Sequence, residues 1–129
     1  MTTDLSMLAW TALFTVLLWI PYILALIGKT GLKAVLTYRA DGTPLPGWAE
    51  RARKAHYNAI ENLAPFAAVV LVAHLAGAAN EATAAAAVVY FAARIVHYAV
   101  YVAGRPYVRT LSFAVGWLAI LCIFWQIVT

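Results

Sequence analysis

One segment, ERARKAHYNAIENLAPF, carries side chains that can bind an ionic ligand, and it leads directly into the apolar stretch AAVVLVAHLAGAA. Glu50, Lys54, Asn58, Glu61 and Pro65 recur at spacings of three or four residues, which places them along one side of a helix. Charged and amide groups are costly in hydrocarbon, so such a stripe entering a membrane favours an internal site over a lipid-facing surface. The spacing therefore predicts a polar wall inside a helical bundle.

A second polar group lies in the motif ARIVHYAVY, where Arg94, His97, Tyr98 and Tyr101 are predicted to share one helical face. Arg94 lies about 12 Å from the end of its apolar segment, too deep for its head to reach the interface. An intramembrane arginine requires a partner, and Glu61 is the expected one. The pair is either a structural contact alone or part of a site, and both interpretations stay open here.

Arg109 and Thr110 stand where a further helix is predicted to begin. A helix N-terminus presents free N–H groups and a partial positive charge, so with Arg109 it suits a carboxylate, a phosphate or a thiolate. A thiolate stabilised there is a nucleophile. The alternative is that Arg105 and Arg109 only follow the charge bias of cytoplasmic loops.

Four apolar segments position these residues, and each is long enough to cross a membrane. They cover residues 6–27, 58–79, 82–102 and 108–128. The composition is 65% hydrophobic and 11% charged, which excludes an ordinary soluble domain. Helix-length runs without alternation exclude a transmembrane β-barrel. We expect an all-α integral membrane protein, an antiparallel up-down four-helix bundle forming a single domain over residues 1–129, with its second helix starting near Trp48.

The basic residues predict the orientation of the bundle. Six of the nine lie between the first two spans, Arg105 and Arg109 lie between the last two, and Arg94 lies inside the third. The positive-inside rule then places these loops in the cytoplasm and both termini outside. The net charge of +4 fits this topology and anionic lipid, so no nucleic-acid partner is expected. We expect no metal site. The segment before residue 6 has no basic residue, which favours a retained first span over a signal peptide.

The chain resembles the MAPEG superfamily, the membrane-associated proteins in eicosanoid and glutathione metabolism. The resemblance rests on four helices, on the pattern R-A-x-x-A-H-x-N-x-x-E-N-x-x-P-F and on the motif ARIVHYAVY. It implies a homotrimer that binds glutathione as co-substrate between neighbouring subunits near the cytoplasmic face. The short loops are typical of a minimal, bacterial-type member, which implies the bacterial inner membrane.

The resemblance also assigns roles to residues. Asn58 and Glu61 match glutathione-binding positions of the second helix, and His97 and Tyr101 match positions of the third. Arg109 matches an arginine that is associated with the glutathione thiol.

Two positions depart from the family pattern. Tyr57 replaces an arginine that holds a glutathione carboxylate in several members, and Phe113 replaces a tyrosine that contributes a hydroxyl. Thr110 stands where one member has a serine.

Taken with these patterns, the resemblance implies a glutathione-dependent transferase or peroxidase that acts on hydrophobic electrophiles. The predicted catalytic residues are Arg109 and Thr110, and the predicted glutathione-binding residues are Asn58, Glu61, Arg94, His97 and Tyr101. The alternative is a non-catalytic membrane protein that binds a lipid or another anionic amphiphile. A small multidrug transporter is disfavoured, because the segment 6–27 contains no acidic residue.

Overall fold

The computed structural model describes all 129 residues and is entirely helical. The helices are α1 (Thr3–Leu17), α2 (Ile20–Thr30), α3 (Leu32–Leu36), α4 (Gly47–Leu75), α5 (Glu81–Val102) and α6 (Pro106–Val128). Four helical stretches are long and apolar enough to cross a membrane: Thr3–Thr30, which joins α1 and α2, and the helices α4, α5 and α6. The predicted four-span, all-α architecture is therefore confirmed.

The first span is broken near its middle, which the sequence analysis did not anticipate. The α1 helix ends at Leu17, and α2 begins at Ile20, with Pro21 in its first turn. Proline has no N–H to donate to the carbonyl four residues earlier, so the backbone is interrupted there. A further short helix, α3, follows Gly31, whose φ of +90° suits glycine.

The remaining helix ends agree with local sequence signals. The α4 helix begins at Gly47, next to the predicted start at Trp48, and continues without a break through Pro65. Asn80 caps α5 in a capping box with Thr83, which satisfies the first amide groups of that helix. The α6 helix opens on Pro106, because proline is favoured at the first helical position.

Small residues let the helices approach closely. The buried face of α4 contains four alanines in its first half, followed by Phe66, Val70 and Ala73. In the main apolar core, these last three residues pack against Ala86, Ala87 and Tyr90 of α5 and against Ala119, Ile120 and Ile123 of α6. Close packing of small side chains is how membrane helices associate, because hydrophobic burial gives no driving force in lipid.

The order of the helices brings distant polar residues to one end of the bundle. The α4 and α5 helices are joined by a short turn, and α5 and α6 by another, so neighbouring helices run antiparallel. The first half of α4 therefore meets the end of α5 and the beginning of α6. The candidate site lies at this end.

Candidate functional site

A polar cavity of about 350 Å³ opens between α4, α5 and α6. Its lining residues are Asn58, His97, Tyr101, Arg109, Thr110 and Phe113. Five of these are residues that the sequence analysis singled out as catalytic or glutathione-binding. No carboxylate contributes to the lining, so the cavity suits an anion.

Aromatic contacts hold the cation of this cavity in place. The Arg109 guanidinium carbon lies 5.0 Å from the centre of the Tyr101 ring, a cation–π contact. The ring of His97 meets Tyr101 edge-on at 5.5 Å and approaches Phe113 at 6.3 Å. His97 is only 2% exposed. The Tyr101 ring therefore connects a buried histidine to the arginine at the start of α6.

The hydroxyl groups at the beginning of α6 bond within their own helix. Thr110 Oγ1 donates to the carbonyl of Pro106 at 3.1 Å, and Ser112 Oγ donates to the carbonyl of Val108 at 2.9 Å. No side chain caps the helix at Arg105. Thr110 must rotate away from its carbonyl before its hydroxyl can donate into the cavity.

The partner of Arg94 is Asn58, and the expected Glu61–Arg94 pair is wrong for the isolated chain. Arg94 Nη2 donates to Asn58 Oδ1 at 2.7 Å, and the only ion pair in the chain joins Arg53 to Glu50. Arg94 is 3% exposed and lies behind Asn58, outside the residues that line the cavity.

Glu61 lies on the outer surface of α4 and is exposed. Because a helix turns about 100° per residue, Glu61 lies about 60° around α4 from Asn58. The polar stripe that the sequence predicted is therefore divided, with Asn58 directed inward and Glu61 outward. Tyr98 also leaves the predicted common face, because its ring packs edge-on against Phe14 of α1 at 6.0 Å.

A second cavity of about 280 Å³ adjoins the first and shares Tyr101 and Arg109 with it. Its remaining lining residues are Arg51, Lys54, Gly104, Arg105 and Pro106. Four cations thus surround one cavity, and none of them forms an ion pair. Such a concentration of uncompensated positive charge favours an anionic ligand.

Arg51 is a residue of this site to which the sequence analysis assigned no role, although it opens the family pattern of the second helix and was counted among the loop charges. Its Nε donates to the carbonyl of Val102 at 2.9 Å. The guanidinium also packs against Gly104, where an added Cβ would lie 3.4 Å from that nitrogen. Gly104 has a φ of +76°, a conformation that favours glycine. The turn between α5 and α6 therefore fixes the side chain of Arg51.

A further polar contact of this region joins α2 to α4, and it too was not anticipated. Tyr22 Oη lies 2.8 Å from His56 Nδ1, and both side chains are buried. This hydrogen bond ties the second half of the first span to the helix that carries Asn58. Tyr57, by contrast, is 52% exposed and lines neither cavity.

Comparison with known proteins gives one informative match. The family model of the MAPEG family matches residues 7–129, which is nearly the whole chain. Neither the curated proteins nor the solved structures compared with the chain gave a match. That assignment agrees with the four membrane-spanning helices and with the polar cavity between α4, α5 and α6. It also agrees with the residues that fit the family pattern in the sequence. The chain is an integral, multi-pass membrane protein and belongs to the MAPEG family, whose members act in eicosanoid and glutathione metabolism.

Proposed function

We propose that the protein is a glutathione-dependent transferase or peroxidase that acts on hydrophobic electrophiles. The observation that carries the proposal is the pair of adjoining cavities, which together present an amide, hydroxyl groups and four cations without any carboxylate. Glutathione is a thiol that also carries two carboxylates. Glutathione also carries one ammonium group, so its thiolate form has a net negative charge, which a site rich in cations can stabilise.

Arg109 is the proposed thiolate-stabilising residue. It lines both cavities, and it belongs to the uncapped first turn of α6, whose partial positive charge adds to its own. A preorganised cation favours the thiolate over the thiol, and the thiolate is the nucleophile. In transfer, its sulfur forms a bond to the electrophilic carbon while the leaving group departs with the bonding electron pair. The Thr110 hydroxyl, once rotated, is the proposed additional donor.

The second cavity is the proposed site for the carboxylates of glutathione. Arg51, Lys54 and Arg105 offer several N–H donors, and guanidinium groups bind carboxylates through paired hydrogen bonds. These cations compensate for Tyr57, which lacks the charge of the arginine that several family members have there.

The electrophile is proposed to enter from the bilayer beside Phe113. This side chain lines the first cavity and presents a ring without a hydroxyl, so it offers an apolar contact near the sulfur. Hydrophobic compounds concentrate in the membrane, where the outer surfaces of the helices are apolar. The proposed electrophile is therefore a compound of the membrane-soluble class.

A homotrimer is proposed because one side of α4 is exposed and includes a carboxylate, which is energetically unfavourable in contact with lipid. Tyr57, Glu61, Ala64, Ala68 and Leu71 are exposed on one side of α4, at alternating spacings of four and three residues. A carboxylate that faces lipid is costly, whereas a neighbouring subunit would shield it. That the assembly has three subunits is taken from the family resemblance. Light scattering on the detergent-solubilised protein should give the mass of three chains, and a monomer mass would contradict it.

The proposed orientation places the site at the cytoplasmic face of the membrane, with both termini outside. Its support is the concentration of basic residues in the loops at the site end of the bundle. A membrane-impermeant thiol reagent should label a cysteine introduced at Ala78 in intact cells, but a cysteine introduced at Thr43 only after permeabilisation. Cys122→Ala provides the background for both variants.

The direct test is conjugation of glutathione to 1-chloro-2,4-dinitrobenzene by the purified protein. We expect Arg109→Ala to lower kcat/KM by roughly 100-fold, which is the effect of removing one electrostatic donor from a reacting centre. Arg39→Ala, which removes an exposed cation from the loop outside the site, is the matched control and should leave kcat/KM unchanged. A wild-type protein that neither binds nor conjugates glutathione, tested also with a hydroperoxide, would exclude the proposal.

The second candidate function is non-catalytic binding of an anionic amphiphile. Phe113 and Tyr57 favour it, because both positions lack a polar group that catalytic members use. It predicts that native mass spectrometry finds a retained lipid that glutathione does not displace.

A further inference from the structure

Arg94 is a buried cation that has no acidic partner in the chain. Its side chain is 3% exposed, and its only hydrogen bond runs from Nη2 to Asn58 Oδ1 at 2.7 Å. Its Nε has no partner. In a membrane interior, a hydrogen bond to a charged group is strong, since water does not compete for either atom. Arg94 therefore holds Asn58 tightly.

This contact fixes the orientation of the Asn58 amide. A guanidinium can only donate hydrogen bonds, so the amide oxygen must face Arg94. The side-chain nitrogen of Asn62 approaches the same oxygen at 3.4 Å. Because the amide group is planar, its NH₂ group is turned away from Arg94. Asn58 lines the first cavity and Arg94 does not, so the amide offers its donor to a ligand there.

The packing around Arg94 keeps its side chain in one place. Tyr90, one turn earlier on α5, stacks on Phe66 with ring centres 3.9 Å apart and an angle of 15°. A Cβ at Gly116 of α6 would lie 3.5 Å from the Tyr90 ring and 3.8 Å from Arg94 Cδ. The stem of Arg94 thus lies between α5 and α6 with little space to move.

We propose that Arg94 is a positioning residue, which holds Asn58 with its NH₂ group directed into the cavity. The cavity is thereby restricted to ligands that present a hydrogen-bond acceptor at this point, such as a carboxylate or peptide carbonyl oxygen of the thiol co-substrate. This inference rests on the proposed function for its ligand. It assigns Arg94 an effect on ligand affinity that acts entirely through Asn58, without any contact between Arg94 and the ligand.

The test is a double-mutant cycle, in which glutathione affinity is measured by calorimetry. Arg94→Met keeps the length of the stem and removes the donors, and Asn58→Ala removes the amide. We expect each variant to lose roughly tenfold or more in affinity, as for one hydrogen bond to a charged group. The double variant should bind no more weakly than Asn58→Ala alone, because Arg94 has nothing left to position. Arg39→Met is the matched control.

Asn58→Asp separates positioning from packing. It keeps an acceptor for Arg94, so the protein should fold at least as stably as wild type, but it removes the NH₂ donor and should lose affinity. Arg94→Lys, which retains a donor, should recover part of the affinity lost in Arg94→Met. The inference about Arg94 would be overturned if the losses of affinity in the double variant were additive, or if Arg94→Met or Asn58→Asp kept wild-type affinity. The proposed function would still stand in either case. Wild-type protein that binds no glutathione would overturn the proposed function together with the inference about Arg94.

Discussion

At the scale of single residues, Tyr101 is the side chain on which the proposed thiolate site depends most. Its ring lies 5.0 Å from the Arg109 guanidinium carbon and contacts His97, and Tyr101 lines the same cavity as both. The ring and the hydroxyl therefore have separable roles. The ring positions the cation, and the hydroxyl can donate to a ligand.

Two substitutions at Tyr101 distinguish these roles. Tyr101→Phe keeps the cation–π contact, whereas Tyr101→Leu removes it, a loss of about 0.5–2 kcal/mol. We expect Tyr101→Leu to lower kcat/KM for conjugation by about 2- to 30-fold beyond the effect of Tyr101→Phe. Equal kcat/KM values for the two variants would show that the ring does not position Arg109.

At the scale of elements, the packing of α6 against α5 determines where Arg94 lies. The two helices form the most extensive contact in the molecule, and Gly116 faces Tyr90 and Arg94 at that contact. An added Cβ there would make ordinary van der Waals contacts of 3.5–3.8 Å. The interface has room for a methyl group but not for a larger side chain.

Gly116 therefore allows a graded test by thermal unfolding in detergent. Gly116→Ala should leave stability unchanged or raise it by up to about 1 kcal/mol, because alanine is the better helix former. Gly116→Leu should overpack the contact and lower stability by about 1–3 kcal/mol or more. Val115→Leu, on the outward side of the same helix, is the matched control. A Gly116→Leu protein as stable as Gly116→Ala would mean that α6 shifts freely along α5.

At the scale of the whole molecule, the outer side of α4 joins the site to the proposed trimer. Asn58 and Glu61 lie about 60° apart on this helix, so one faces the cavity of its own chain while the other faces outward. In a trimer assembled through α4, the outward face would meet another subunit. The proposed site and the proposed assembly would then share one helix.

Ala68 offers a test of this assembly that leaves the isolated chain intact. It is exposed on the outer side of α4, so the ring of Ala68→Trp lies on the surface and does not enter the protomer core. We expect it to shift the detergent-solubilised protein from three chains toward one, as measured by light scattering. Leu118→Trp, which places the same ring on the exposed surface of α6, should keep the trimer. An unchanged mass for Ala68→Trp would place the subunit interface elsewhere.

The sequence by itself determined the four spans, the start of α4 and most of the residues that meet in the first cavity. These follow from local rules, since an apolar run of sufficient length must be a helix in a membrane, and proline and asparagine mark where helices begin. Asn58, His97, Tyr101 and Arg109 were identifiable because few polar groups occur inside such apolar segments.

Only the tertiary structure decided which of these residues touch. It paired Arg94 with Asn58 instead of Glu61, turned Tyr98 toward α1 and brought Arg51 against the turn at Gly104. Residues three apart on a helix differ in direction by about 60°, so spacing alone leaves both candidates for Arg94. The choice between them depends on how α4 is rotated against α5, which the packing of alanines and aromatic rings across the whole interface determines.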